Sequence, residues 1–160
     1  MNALLPGSCL VWGIKSSLRA YVAKIGGITE LIPPAIMADN VFEFPPVSHD
    51  ESRLHFSGGV TLTGHGGLVK IHVNEPVIFS GDSAYHLSTS VPNSPTKRIV
   101  VADLIQLPLE DEGATFTRRG FETRLTGPGA AWWGGAYEPG TLLDPVMLWR
   151  AHADASLPQA

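Results

Sequence analysis

Seventeen glycines and thirteen prolines are spread through 160 residues, and this punctuation limits what the chain can build more than any other feature. In a helix interior each glycine costs about 1 kcal/mol and each proline about 3 kcal/mol relative to alanine. Long helices are therefore disfavoured, and short strands joined by turns are left as the main building material. The apolar residues between the breaks agree. In "VTLTGHGGLVKIHVNEPVIF" (60–79), Val60 and Leu62 oppose Thr61 and Thr63, and beyond the glycines Val69, Ile71 and Val73 oppose Lys70 and His72. That pattern predicts a hairpin with one buried face and His65 at its tip.

Other segments follow the same rule. "CLVWGI" (9–14) reads as a first strand, "VFEFP" (41–45) alternates Val41 and Glu43 against Phe42 and Phe44, and "RLHFSGGVTLT" (53–63) resumes strand character around a Gly-Gly bulge or turn. "PVIFSGDSAYHLSTSV", "KRIVVADLIQLPL" and "ATFTRRGFETRLT" continue the β pattern, the second apolar enough to lie inside. One helix is expected at "SSLRAYVAKI" (16–25), where Leu18, Tyr21, Val22 and Ile25 share a stripe, a serine caps the start and Gly26-Gly27 ends it. The acidic run Glu110, Asp111, Glu112 reads as a solvated loop and the tail 150–160 as frayed. The predicted fold is mainly β: a single-domain antiparallel β-sandwich or barrel-like structure of many short strands with one or two short helices, spanning 1–160 with its core at about 10–149.

Composition excludes several function classes. The 44% hydrophobic content supports one core. Net charge is −4, and the eleven Lys and Arg residues are scattered, with Lys97-Arg98 and Arg118-Arg119 the adjacent pairs, so no basic face is assembled for nucleic acid. A single cysteine, Cys9, rules out an internal disulfide and a thiolate zinc site built from this chain alone. The first residues lack the charged and apolar regions of a secretory signal, and no stretch approaches the ~20 apolar residues of a membrane helix. As written, the sequence is expected in the cytoplasm without membrane insertion; an extracytoplasmic place follows if it is a processed fragment. No HExxH, CxxC, GxSxG or phosphate-loop signature occurs.

Taken singly, the remaining polar candidates have plain readings. Tyr21 on an apolar helix stripe reads as a core ring with its hydroxyl at an edge. His65 reads as a turn residue, and Tyr137 with Trp132-Trp133 as the closing plug of a sandwich.

The order of the pieces changes that balance. "WGIKSSLRAYV", then "FSGGVTLTGHGGLVKIHVNEPVI", then "LTGPGAAWWGGAYEPGTLLDPV" together resemble the haem-transport-associated (HtaA) domain of actinobacterial haem uptake, over about Leu10 to Trp149. The resemblance implies that Tyr21 is the axial ligand of ferric haem b, that His65 hydrogen-bonds to its oxygen, and that Tyr137 lines the pocket. Gly64, Gly66 and Gly67 would let the hairpin pass close to a porphyrin face. Trp132 and Trp133 depart from the smaller or phenylalanine-type residues of the family, and are expected to stack on the macrocycle or narrow the cavity. Asp144-Pro145 reads as structural, and Lys15, Arg19 and Arg118 are the cations available to the propionates. Haem transport, storage or delivery is the implied role, with haem and other haem-transfer proteins as partners and a homo-oligomer allowed. Family members are typically secreted or membrane-anchored, which sets them apart from the compartment expected here. Two alternatives remain at this point: an enzyme on the same scaffold, using haem for peroxide chemistry or a Tyr/His cluster on another hydrophobic substrate, and a surface module without a ligand.

Overall fold

The computed structural model describes residues 4–112 and 115–151. Its elements in chain order are β1 (Cys9–Trp12), α1 (Ser16–Lys24), β2 (Ile28–Ile32), β3 (Ile36–Ala38), β4 (Val41–Phe44), β5 (Pro46–His49), β6 (Arg53–Phe56), β7 (Gly59–Gly64), β8 (Val69–Asn74), β9 (Val77–Ser80), β10 (Tyr85–Val91), β11 (Ser94–Glu112), β12 (Phe116–Leu125), α2 (Gly127–Trp132) and β13 (Leu142–Ala151). Ten strands form one antiparallel sheet in the order β3-β4-β1-β13-β12-β11-β10-β9-β6-β5, and β2-β7-β8 form a second. Phe42, Phe44, Phe121, Leu104 and Val146 of the large sheet share one buried cluster with Val60, Leu62, Ile71 and Val73 of the small one. The fold is mainly β and single-domain with two short helices, as the sequence predicts.

The hairpin alternation holds residue by residue. Val60, Leu62, Ile71 and Val73 are fully buried, while Thr61 faces His72 and Thr63 faces Lys70 across the outer face. Several local expectations change. The last three strands are long, with β11 covering 19 residues, because a central strand with partners on both sides satisfies its backbone over its whole length. Residues 110–112 accordingly pair with Arg119, Arg118 and Thr117 as the end of β11 and form no loop. The strand pair expected at 53–63 divides at Ser57-Gly58 into strands of different sheets. A second helix, α2, starts at Thr126, whose hydroxyl accepts the Gly129 N–H at 2.9 Å and whose followers Gly127-Pro128 suit a first turn. Arg150 and Ala151 complete β13; the rest of the segment read as a frayed tail, 152–160, lies outside the described residues.

One irregularity in the large sheet positions the site. Phe121 faces Val146 and Thr123 faces Leu143, so Asp144 and Pro145 of β13 stand opposite Glu122 alone. This is a β-bulge, and it accommodates a proline that has no N–H for the ladder. The buried Thr123 hydroxyl repairs the interruption: it accepts the Val146 N–H at 3.0 Å and donates to Phe121 O at 2.9 Å. Thr123→Val keeps the shape but strands a buried N–H. The expected loss is about 1–3 kcal/mol, read as a lower urea midpoint at unchanged slope; a midpoint within error of the parent would dismiss this role.

Candidate functional site

The bulged residue Asp144 turns away from its own sheet and holds the start of α1. Its N–H donates to Ile14 O at 2.9 Å, and its carbonyl accepts the Trp12 indole N–H at 2.8 Å. One carboxylate oxygen accepts the Ser16 N–H at 2.9 Å, and the other takes the Arg19 guanidinium at 2.9 Å. The helix cap is thus supplied from across the molecule, and no side-chain cap comes from the preceding residue; this corrects the expected local serine cap. Gly13 is required at the joint because a Cβ there would run into both the Arg19 guanidinium and the Asp144 carboxylate. Lys15 reaches back to Leu142 O at 3.3 Å. The "WGIK" and "LDP" stretches, distant in sequence, are therefore the two halves of one clamp.

From that anchored start α1 buries Leu18 and Val22 and leaves Tyr21 at 42% exposure, so Tyr21 is not a core ring. Its hydroxyl forms a hydrogen bond with His65 Nε2, 44 residues away, and the two rings lie 5.7 Å apart at 56°. His65 itself takes a left-handed conformation (φ +50°), followed by Gly66 (φ +65°) and Gly67 (φ +98°). This is a region that histidine visits more readily than most side chains and that glycine adopts freely. Nothing lies within 4 Å of where a Cβ would stand on Gly66 or Gly67, so the backbone beside the imidazole borders open space. Gly64 ends β7 against the Ile25 side chain, which brings the hairpin tip up to the helix.

Tyr137, on the segment between α2 and β13, joins this pair. Burial raises its hydroxyl pKa above the ordinary tyrosine value, and the neighbouring Tyr21 raises it further. Lys15 Nζ stands 5.7 Å from the centre of the Tyr137 ring. Tyr21 and Lys15 of the α1 segment, His65 of the hairpin tip and Tyr137 of the segment after α2 therefore come together.

The two tryptophans part company. Trp133 is 1% exposed within the core and presents no surface to a ligand, which corrects the expectation of a stacking role for it. Trp132 is partly buried, donates its indole N–H to His72 O at 3.2 Å, and lines a cleft of about 640 Å³ with Gly67, Thr61, Thr63, Lys70, His72 and Glu30. Of the expected cations, Arg19 is committed to Asp144. Arg118 lies by a different cleft, with Val11, Glu43, Met147 and Trp149. Lys15 remains beside the tyrosines. Among the described residues no three His, Cys, Asp or Glu side chains come together as a metal site.

Sequence reasoning missed two contributors. The Asp144–Arg19 pair spans 125 residues, and no local signal announces it. His72, read as having no ligand-spaced partner, shares a hydrogen bond with Thr61 Oγ1 at 2.8 Å through Nδ1, while its Nε2 is buried without a hydrogen-bond partner. Burial, and secondarily Lys70, lowers its pKa.

The Htaa family model matches residues 7–148, and the chain belongs to the HtaA family. Three solved structures share its fold, all from Corynebacterium glutamicum. The C-terminal domain of HtaA is 22% identical with a TM-score of 0.71, covering 90% of this chain and 95% of that one. The N-terminal domain of HtaA is 23% identical with a TM-score of 0.67, covering 92% and 97%. The "Heme binding protein HtaB" is 15% identical with a TM-score of 0.67, covering 93% and 96%. No curated protein matches the chain by sequence.

Asp144→Ala removes the cap and the ion-pair partner of Arg19 together, and should cost about 2–3 kcal/mol in urea unfolding; a cost below about 0.5 kcal/mol would mean the clamp is dispensable. His72 gives a pH signature. Its folded pKa lies below the unfolded 6.5, so below that pH the unfolded chain binds a proton that the folded chain resists. Stability therefore falls as pH drops through 6.5 toward the folded value. His72→Asn should lose less midpoint than the parent between about pH 7.5 and pH 5; equal losses would remove His72 from the account.

Proposed function

We propose that this protein binds haem, and that it does so through the Tyr21–His65 pair for haem transport, storage or delivery. The observation that carries the reading is a solvent-accessible phenol hydrogen-bonded to an imidazole on a distant, glycine-flanked turn. A purely structural tyrosine of an amphipathic helix would be buried; this one is held out and supported. The family membership, and a fold relative whose name states haem binding, point the same way.

The residues suit ferric haem b. A phenol with a pKa near 10 is protonated at neutral pH, so it becomes an anionic oxygen donor only where a strong Lewis acid or a hydrogen-bond donor favours the charged form. Tyr21 supplies the oxygen, and His65 Nε2–H would donate to it as phenolate, fixing the ligand and its charge. Haem, when bound, supplies the ferric centre that displaces the phenolic proton. Gly66 and Gly67 leave the approach clear, and Gly64 brings the turn up to Ile25. Tyr137, whose pKa burial raises above the ordinary tyrosine value, offers a protonated hydroxyl beside Tyr21. Trp132 lines the adjoining cleft, and Lys15 is the nearest placed cation for a propionate. A hard oxygen donor favours Fe(III), and a ligand set that weakens when the oxygen is reprotonated suits carriage and hand-over to other haem-transfer proteins.

Titration with hemin should produce a ferric high-spin spectrum with a phenolate charge-transfer band. Tyr21→Phe should abolish that band, and a spectrum unchanged in the variant would overturn the ligand assignment. His65→Ala should release haem to an apo-globin acceptor about tenfold faster or more, the scale on which outer-shell partners act; equal release rates would count against the support role.

A further inference from the structure

On the outer face of the large sheet lies a third cleft. Leu54, Ile78, Leu87 and Val101 point into the core from β6, β9, β10 and β11, and the intervening residues of these strands face outward. There Val77, Phe79 and Val100 floor a recess of about 260 Å³, with Arg53, His55 and Arg98 around it. None of the residues that form the Tyr21 site lines it.

Arg98 is the unusual member. Its Nε donates to Ser88 Oγ at 2.8 Å, and its Nη2 donates to Ser88 O at 3.1 Å and to Glu75 O. All three acceptors are neutral, and among the described residues no carboxylate lies within ion-pairing distance. Burial lowers its pKa, and the charge of Glu75 opposes that shift. Arg98 as a whole is exposed, and a guanidinium whose hydrogen bonds all go to neutral acceptors still offers its charge to an anion in the recess. The His55 and Arg53 side chains make no hydrogen bond among the described residues, and the charge of Arg53 acts on the nearby Asp50 carboxylate. Asp103 is engaged with His86 Nδ1 at 2.7 Å; Asp50 accepts the Ser52 N–H at 2.9 Å and offsets part of the Arg53 charge, which leaves Arg98 as the principal cation of the recess. In a chain of net charge −4, this is a local concentration of cations over an apolar floor.

We propose that this cleft is a binding site for a small organic carboxylate with an apolar body, the carboxylate pairing with Arg98 and Arg53 and the body lying on Val77, Phe79 and Val100. Apolar floor and cationic rim each exclude one class of competitor. A bare inorganic anion gains nothing from the valines and Phe79, and a neutral hydrocarbon leaves Arg98 uncompensated. The volume, at the low end of small-molecule sites, limits the body to a short chain or a single ring. The proposal does not depend on haem.

The test is a titration of the full chain with octanoate, followed by backbone amide NMR. Amides of Val77, Phe79, Ser88 and Val100 should shift together with a Kd of about 1 mM or tighter. 1-Octanol and inorganic phosphate at the same concentrations should bind at least about tenfold more weakly. Arg98→Gln should weaken octanoate binding by about tenfold or more. Arg53→Gln, at an exposed position where the substitution keeps the backbone bonds, gives a second reading if the first variant unfolds. The proposal fails if octanoate leaves these amides unmoved, if octanol binds as well as octanoate, or if the Arg53→Gln and folded Arg98→Gln proteins both bind octanoate like the parent. Hemin spectra run on the same samples keep failure here separate from failure of the Tyr21 site.

Discussion

Asp144 is the residue on which the arrangement depends. A bulge in β13 rotates one acidic residue out of the ladder, and its four polar groups then meet Trp12, Ile14, Ser16 and Arg19. No one of these bonds is large; in combination they fix where α1 begins and which way it runs. They also explain why the bulge sits where it does, since Pro145 has no N–H to give the ladder and Thr123 stands in for the missing regularity. The position of Tyr21 follows from that of the helix start, so a feature of sheet geometry ends as the placement of a phenol.

The second constraint is the contrast between the two sides of the Tyr21 region. Beneath it, Leu18 and Val22 are packed in the shared core, which leaves the helix no freedom to roll. Above it, the glycine turn carries little side-chain bulk and borders open space. A donor atom held by a rigid base and facing an uncluttered surface is the general condition for binding something flat with a defined orientation. The raised pKa of Tyr137 adds chemical asymmetry: two phenols stand close together, one supported by an imidazole and the other kept from ionising by burial and by its neighbour.

Much of this was legible in the residues. Strict alternation in 60–73 specified which side chains enter the core, because a one-residue slip would expose Val60, Leu62, Ile71 and Val73 together. The helix at 16–24 was legible from its stripe and from the glycines that end it. What escaped notice depended on non-local partners. The Gly-Pro-Gly start of α2 reads locally as a loop, and the helix forms because Thr126 caps it. The acidic end of β11 looks like a solvated turn, and it is a strand because β12 lies alongside. Trp132 and Trp133 are adjacent and chemically identical, so no local rule could assign one to the cleft edge and the other to the core.

The sequence by itself determined the β character of the chain, the inward and outward faces of its hairpin, and the glycine-flanked histidine at the tip, since each follows from steric and solvation preferences acting over a few neighbouring residues. Tertiary structure alone decided that this histidine meets the hydroxyl of Tyr21, that an aspartate near the end of the fold caps a helix near its start, and that Arg98 lies over an apolar floor without a carboxylate. Those outcomes depend on where strands distant along the chain pair and where one of them bulges. Such pairing is set by the packing of the whole core and leaves no mark on the local pattern.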